Sequence, residues 1–553
     1  MNKTWWKEGI MYQIYPRSFN DSNEDGIGDL NGIAEKLDYI KDLGVDIIWL
    51  SPVYKSPNDD NGYDISDYYD IMDEFGKMAD FDKLLEGVHK RGMKLVMDLV
   101  VNHSSDEHEW FQTSRSSKDN PFRDYYYWKP PGPDGGPPNN WQSFFGGSAW
   151  ELDETTGEYY LHLFTKKQPD LNWENPKVRE EVYQLMRFWL DKGVDGFRMD
   201  VIPLISKHLD FPDVSNDDFL YVIEKVYANG PRVHEFLREM NEKVISQYDM
   251  MTVGEGPGIT SKLARNYVGD DRKELHMIFH LDHMFLGMQE NGKFYPREVK
   301  LSEFKSIFTE WNFDIGEDCW INIYLDNHDF PRMVSRWGDD EEFHNESGKL
   351  LAMLILTLRG TPCIYQGSEI GMTNVAFDSI EDYRDVETLN NYRIEKAAGK
   401  DMETFMKGVH QNGRDNVRTP IQWDDSENGG FTTGKPWIKV NPNYKTINAK
   451  QALADSNSIY YFYQEMIKYR KANPTLVYGD YMIMDKDDEY LFTYRRRDDE
   501  HTYWIILNMS SNHQLFELPV YEELSLEICN YKDVNPNSRK LQPWEARLYK
   551  IKK

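Results

Sequence analysis

The stretch NPKVREEVYQLMRFWLDKGVDGFRMDV, residues 175–201, holds one complete helix-then-strand unit. Asn175 can cap a helix whose first turn contains Pro176, where a missing N–H is harmless. Val178, Val182, Leu185, Met186 and Trp189 recur at helical spacing and line one face. Gly193 closes the helix. VDGFRMDV follows as a segment of strand length. Near-continuous apolar strands alternating with helices, of which the runs that follow are the clearer examples, mark a parallel sheet.

The unit recurs in both directions along the chain. Ile33, Leu37, Ile40 and Leu43 share a helical face that Gly44 ends, and VDIIWLSPV follows. Leu84, Leu85 and Val88 repeat the pattern before Gly92 and KLVMDLVV. Further apolar runs are MYQIY near the start, then MMTVG, HMIFH, WINIYL and TPCIY. Eight strands separated by helices predict a (β/α)8 TIM barrel. Two regions break the rhythm. Residues 104–173 carry NPFRDYYYWKPPGPDGGPPNNWQ, rich in Pro, Gly and aromatics, and read as a small inserted domain after strand 3. From 480 onward EYLFTYR, TYWIILNM and HQLFEL read as a C-terminal antiparallel β-sandwich domain. The barrel then takes residues 1–103 and 174–479, the insert 104–173 and the terminal domain 480–553. Residues 372–435, after the eighth strand, read as a long polar and aromatic loop.

Bulk composition narrows the function. The 553 residues are 40% hydrophobic, enough for a large core, and carry a formal net charge of -30. Such a chain repels nucleic acid and anionic membranes and suits a neutral or cationic ligand. Cys319, Cys363 and Cys529 are too few and too scattered for a disulfide framework and fit a reducing compartment. No signal peptide and no membrane-length apolar run is present, so a soluble cytoplasmic protein without a membrane partner is expected.

Active sites of such barrels sit at the C-terminal ends of the strands. Those ends carry Asp98 and Asn102-His103 on the third strand and Arg198 with Asp200 on the fourth. Glu255 ends the fifth, and His328-Asp329 follow the seventh. Each residue alone could be a turn or cap. Gathered at one face, unpaired carboxylates are too costly to serve stability. They suit a metal site or glycoside chemistry. Paired His at metal-ligand spacing is absent, whereas glycoside hydrolysis needs one carboxylate as nucleophile and one as acid/base. Arg198, two residues before Asp200, faces the same side and would hold Asp200 ionised. Glu255 has no basic neighbour in sequence, which leaves room for a raised pKa.

DLVVNH (98–103), GFRMD (196–200), GE (254–255) and NHD (327–329) resemble, in order and spacing, the four conserved regions of the α-amylase superfamily, glycoside hydrolase family 13. The resemblance extends from WWKEGIMYQIYPRSF to the terminal β domain. QPDLN (168–172), DDNGYDISDY (59–68), FGGSAW (145–150) and GRDNVRTPIQW (413–423) resemble the oligo-1,6-glucosidase, dextran glucosidase and sucrase-isomaltase-like α-glucosidase subfamily. The resemblance implies a retaining, exo-acting α-glucosidase on small oligosaccharides, acting most on α-1,6 bonds, with no catalytic cofactor. A sucrose hydrolase or sucrose isomerase of the same fold is the alternative. It implies Asp200 as nucleophile, Glu255 as acid/base and Asp329 as transition-state stabiliser. Asp60, Tyr63, His103, Arg198 and His328 would line the glucose subsite. Phe145, Phe164 and Gln168 would wall the pocket, and Arg414 and Arg418 would close it. A monomer or weak homodimer is expected.

Three finer expectations remain. Val201, directly after the implied nucleophile, resembles the α-1,6-active group, where Thr or Ala goes with α-1,4 preference. Pro203 and Gly256 depart from the subfamily, and a Gly after the acid/base is expected to widen the aglycone subsite. DSNEDGIGDLNG (21–32) has the oxygen spacing of a calcium loop, but Gly32 stands where a bidentate Glu is needed. From the residues alone it is an ion site or a polar turn. The resemblance implies a structural Ca2+ or Mg2+ held by Asp21, Asn23, Asp25, the Ile27 carbonyl and Asp29.

Overall fold

The computed structural model describes residues 3–215, 218–288, 292–517 and 524–551. The eight apolar runs form strands β1 (Met11–Ile14), β2 (Ile47–Leu50), β3 (Lys94–Leu99), β4 (Gly196–Met199), β5 (Met251–Glu255), β6 (Met277–Phe279), β7 (Asn322–Ile323) and β8 (Thr361–Tyr365). They pair in parallel in the order β6-β5-β4-β3-β2-β1-β8-β7. A parallel bridge between Ile278 and Ile321 joins the two ends, so the sheet closes into a (β/α)8 barrel.

Helices α1 (Leu37–Leu43), α2 (Met78–Lys90) and α3 (Pro176–Lys192) precede β2, β3 and β4. The Asn175 side chain accepts from the Lys177 N–H, and Gly193 ends α3 at φ 109°, where a side chain would be strained. The first helical face is divided. Leu30–Glu35 and α1 are separate helices, because Lys36 leaves helical geometry at φ -102° and ψ 4°.

Side chains alternate along each barrel strand. Met11, Ile47, Trp49, Val96, Val253, Met277 and Phe279 fill the interior. Tyr12, Ile48, Leu50, Leu95, Met97 and Ile278 face outward against the helices. This alternation positions the site. Asp98 stands opposite Arg198, and Val253 stands beside Arg198 on the other side. Glu255, two residues past inward-facing Val253, therefore faces the same way as Asp98 and Arg198, one step further toward the C-terminal mouth.

Between β3 and α3 lies a three-stranded antiparallel sheet of Trp128–Lys129, Glu158–Leu161 and Trp150–Asp153. It is accompanied by a helix, Glu109–Ser114, too short for its period to be read. The C-terminal part is a five-stranded antiparallel sheet with a two-stranded ribbon, Gln514–Leu515 and Lys540–Leu541. Leu491, Trp504, Ile506, Phe516, Leu541 and Tyr549 pack between them. The run HQLFEL yields only that two-residue strand, and its last residue, 518, lies outside the described residues. The expected long loop at 372–435 needs correction. It contains α6 (Val386–Ala397), α7 (Met402–Asn412) and the short α8 (Asp415–Arg418), following α4 (Leu301–Ile315) and α5 (His344–Thr357). Helix α6 buries only Thr388, so it has no apolar stripe to betray it. Among the described residues no helix is long and apolar enough to cross a membrane.

Candidate active site

At the barrel mouth one guanidinium meets three carboxylates. Arg198 Nη1 donates to Asp98 Oδ1 at 2.7 Å and to Asp200 Oδ1 at 2.6 Å. Its Nη2 lies 2.8 Å from Glu255 Oε2. Trp49 Nε1 and the Tyr63 hydroxyl donate to the second oxygen of Asp98, at 2.8 and 3.2 Å. Arg198 thus does not serve Asp200 alone, as the sequence spacing suggested. It reaches across to β5, because neighbouring parallel strands bring Glu255 beside it. Burial lifts Asp200 and Glu255 above the ordinary carboxylate range, against the pull of Arg198. For Asp200 this reverses the expectation that Arg198 alone keeps it ionised, because three buried carboxylates share that one cation.

Asp329 behaves oppositely. Burial raises it, but His328, Arg414, Arg418 and Lys293 together hold it below the usual carboxylate range. Burial pushes His328 down to about 3, so its ring is neutral at pH 7. The Gln13 amide donates to His328 Nδ1 at 2.8 Å, which leaves Nε2–H facing Asp329 Oδ2 at 3.1 Å. The ionised state of Asp329 therefore rests on the arginines. Arg414 Nη1 and Arg418 Nη2 donate to its Oδ1 at 3.2 and 3.0 Å. Arg414 also donates to Asp60 Oδ1 at 3.2 Å and lies 4.7 Å from the Phe145 ring centroid. Asp60 is pushed up to about 6 by burial, against Arg414 and Arg418. His103 donates from Nε2 to the Tyr63 carbonyl at 3.1 Å, and burial lowers it to about 4.

These groups surround a cavity of about 440 Å³. Asp60, Tyr63, His103, Phe145, Phe164, Asp200, Val201, Glu255, His328, Asp329 and Arg414 line it. Arg198 and Arg418 lie behind the wall, each 1% exposed. Gln168, expected on the wall, is fully buried. Its amide is consumed in donating to Asp60 Oδ2 and the Tyr63 carbonyl, each at 3.2 Å. The expectations for Pro203 and Gly256 also change. Neither lines the cavity. A Cβ on Gly256 would meet the Phe279 carbonyl at 3.1 Å and Ile259 Cδ1 at 3.2 Å, so the glycine abuts packed atoms and opens no subsite.

Several site groups were not found from sequence. Asp385, fully buried, accepts from Arg414 Nε at 2.7 Å and lies 3.7 Å from Arg418 Nη1. It also caps α6 through the Glu387 and Thr388 N–H groups. That cap, Asp before an apolar residue, was the available signal. Lys293 and Glu387 pair at 2.7 Å on the cavity wall. Phe219, Phe285, Phe294, Tyr295 and Phe330 make the outer wall aromatic.

Away from the cavity, the loop 21–29 is folded by its own side chains. Asp21 Oδ1 accepts from the Asn23 and Glu24 N–H groups, and its Oδ2 from Gly26 N–H and Thr432 Oγ1. Asn23 accepts from Asp25 N–H and Asp25 from Ile27 N–H. Asp29 accepts from Ser22 and from Gly32 N–H. The donor set is all hard oxygen, the chemistry of calcium and magnesium. Among the described residues no group of three or more His, Cys, Asp or Glu is gathered as a metal cage.

Comparison with known proteins agrees with this geometry. The chain is 57% identical to an oligo-1,6-glucosidase of Parageobacillus thermoglucosidasius, over the full length of both. Among solved structures it resembles a trehalose-6-phosphate hydrolase of Bacillus licheniformis, with TM-score 0.95, 46% identity and full coverage of both chains. It also resembles an isomaltulose synthase of Protaminobacter rubrum, with TM-score 0.96, 45% identity and full coverage of both. Residues 13–479 match the family model described as alpha amylase, catalytic domain. With that match spanning most of the chain and carboxylates gathered at the barrel mouth, the protein belongs to the α-amylase family of glycoside hydrolases.

Proposed function

We propose that this chain is a retaining, exo-acting α-glucosidase that cleaves terminal α-1,6 bonds of short isomalto-oligosaccharides. The observation that carries the reading is the fork of Arg198, which holds one oxygen of Asp200 at 2.6 Å and lies 2.8 Å from one of Glu255. Oxygens gripped by two arms of one planar group are close together. That supports the short carboxyl separation of retaining enzymes, roughly 5–5.5 Å, over the wider spacing that admits a water.

Glu255 protonates the glycosidic oxygen while Asp200 attacks the anomeric carbon. The bond to the leaving sugar breaks as the bond to the Asp200 carboxylate forms. Glu255, now ionised, takes a proton from water, whose oxygen attacks the anomeric carbon and releases α-glucose and Asp200. Asp329, ionised, and Asp60 bind glucose hydroxyls. Tyr63, His103, His328 and Phe145 shape that subsite, and Phe164 and Val201 lie toward the leaving sugar. Gln168, Arg198 and Arg418 hold these groups from behind. Lys293 and Glu387 offer hydrogen bonds to the leaving sugar.

Charge argues against a phosphorylated substrate. Six carboxylates line the cavity, namely Asp60, Asp200, Glu255, Asp329, Glu387 and Glu395. The lining cations are Lys293 and Arg414, and both are paired. The test is initial rates on isomaltose, maltose, sucrose and trehalose, with products resolved. Fast glucose release from isomaltose with little from maltose supports the reading. Isomerised products from sucrose would favour the sucrose isomerase alternative instead. Asp200→Asn should abolish turnover with the fold intact.

The same reading assigns residues 1–103 and 174–479 to the catalytic barrel, 104–173 to the insert and 480–553 to the terminal β domain. A cytoplasmic location fits three free thiols, two of them buried, and a monomer or weak homodimer is the state this reading expects. Asp21, Asn23, Asp25, the Ile27 carbonyl and Asp29 would hold a calcium or magnesium ion that stiffens the first loop. Chelation should then lower the melting temperature, and added ion restore it. An unchanged melting curve, with no ion in the purified protein by mass spectrometry, would leave a polar turn.

A further inference from the structure

Val201 sits immediately after Asp200 at φ 34° and ψ 40°. This left-handed conformation is a genuine outlier for a β-branched residue, and such strain persists only where the surroundings impose it. The surroundings are visible. Val201 opens the tight turn Ile202–Leu204, and its carbonyl accepts from the Leu204 N–H at 2.9 Å. Pro203 fixes the middle of that turn, and its carbonyl accepts from the Asn229 N–H at 3.0 Å. Ile202 is seated over Gly254 on β5. A Cβ on Gly254 would lie 2.9 Å from Ile202 Cγ2 and 2.7 Å from Leu275 Cδ1.

The result of this clamp is the direction of one N–H. Val201 donates to Glu255 Oε2 at 3.0 Å. The same oxygen faces Arg198 Nη2. Among the described residues Glu255 Oε1 has no hydrogen-bond partner. Oε2 is thus the oxygen stabilised as an acceptor, and Oε1 is the oxygen left to carry a proton into the cavity.

We propose that Val201 is a positioning residue whose strained backbone, locked by Pro203 and seated on Gly254, aims its N–H at Glu255 Oε2 and so fixes Oε1 as the proton-bearing oxygen. The inference rests on Glu255 being the acid/base. It separates two roles at one position, with the side chain facing substrate and the main chain tuning the acid. It also gives Pro203 a place in the acid's environment, although it does not touch the cavity.

The experiment replaces the Val201 amide by an ester, using α-hydroxyisovalerate, which removes the N–H and keeps the side chain. Losing a hydrogen bond to the carboxylate disfavours its ionised form, so the acid's pKa rises. The alkaline limb of kcat/KM for isomaltose should move up by about one to two pH units. Val201→Ala, which keeps the N–H, should leave the limb in place whatever it does to linkage preference. An ester variant with an unmoved limb overturns the proposal, as does an equal shift in Val201→Ala. Glu255→Gln with an aryl glucoside whose leaving group needs no proton serves as the control. If its alkaline limb persists, Glu255 is not the acid and the functional reading fails first.

Discussion

Arg198 faces Asp98, Asp200 and Glu255 at once from the fixed geometry of a planar fork. Lysine would bring the same charge as a point, without that fixed spacing between donors. Arg198→Lys should therefore lower kcat about 10²-fold to 10³-fold with little change in melting temperature, as steady-state rates and calorimetry would report. A loss confined to KM would mean that the fork merely binds glucose. Asp60 makes a different point. Its folded pKa is about 6, against about 3.9 in an unfolded chain. The folded state holds that proton more tightly. Its contribution is full below about pH 3.9 and is lost as pH rises through about 6. At neutral pH the ionised, buried Asp60 thus opposes folding, by of order 2–3 kcal/mol. Asp60→Asn should raise stability at neutral pH, the gain should vanish toward about pH 4, and glucose binding should suffer. Denaturant titrations at both pH values test it, and a gain that persists in acid would refute the assignment. At this scale the sequence was legible where spacing carried direction. Arg198 and Asp200 are two apart on a strand and share a side, and the NHD and GE motifs marked strand ends. It was illegible where geometry comes from a neighbouring strand, as with the contact between Arg198 and Glu255.

Each barrel strand could be read because burial on both faces leaves an apolar run, and α3 because cap, stripe and terminal glycine agree. The segment after β8 obeys none of these rules. Helix α6 fully buries only Thr388 and turns Glu387 and Glu395 to the cavity wall, and α8 spans only Asp415–Arg418. Yet this segment supplies Arg414 and Arg418. Both are organised by Asp385, which also caps α6, so one buried carboxylate fixes a helix start and two arginines, Arg414 on the cavity wall and Arg418 behind it. Asp385→Ala removes a cap worth about 1 kcal/mol and leaves buried arginines undercompensated, a loss of about 3–5 kcal/mol when a buried pair is broken. The expected outcome is a fall in stability of that order and a raised KM, because Arg414 no longer holds Asp60 and Asp329 in place. Asp385→Asn keeps the acceptor oxygen and the cap but not the charge. It should lose less stability and still raise KM. Equal and unchanged KM in both variants would confine Asp385 to a capping role.

The C-terminal sheet is not a loose appendage. Lys305 of α4, fully buried, donates its ammonium to the carbonyls of Asp485, Asp488 and Leu491. Arg496 donates to the carbonyls of Thr357 at the end of α5 and of Leu476, Val477 and Gly479. Arg496 answers the negative carbonyl end of α5, Lys305 gathers three carbonyls of the sheet and its loop, and together they make one structural unit of barrel and sheet. That unit carries a formal charge of -30, and its cavity walls repeat the sign, with six carboxylates against two paired cations. Surface charge is screened within about 8 Å at physiological salt, whereas charge inside a low-dielectric cleft is screened far less. The consequence is a selectivity by charge that adds to selectivity by shape. A neutral disaccharide should show kcat/KM almost independent of added NaCl. A cationic iminosugar should bind tightly at low salt and weaken as salt rises. A disaccharide phosphorylated on its leaving sugar should be turned over at least about 10-fold less efficiently than its neutral counterpart, with part of that deficit relieved by salt. Rates and inhibition constants across a salt series would measure all three. A phosphorylated substrate used as well as the neutral one would mean that the Lys293–Glu387 pair opens to receive it, and the acidic wall would then not be the filter.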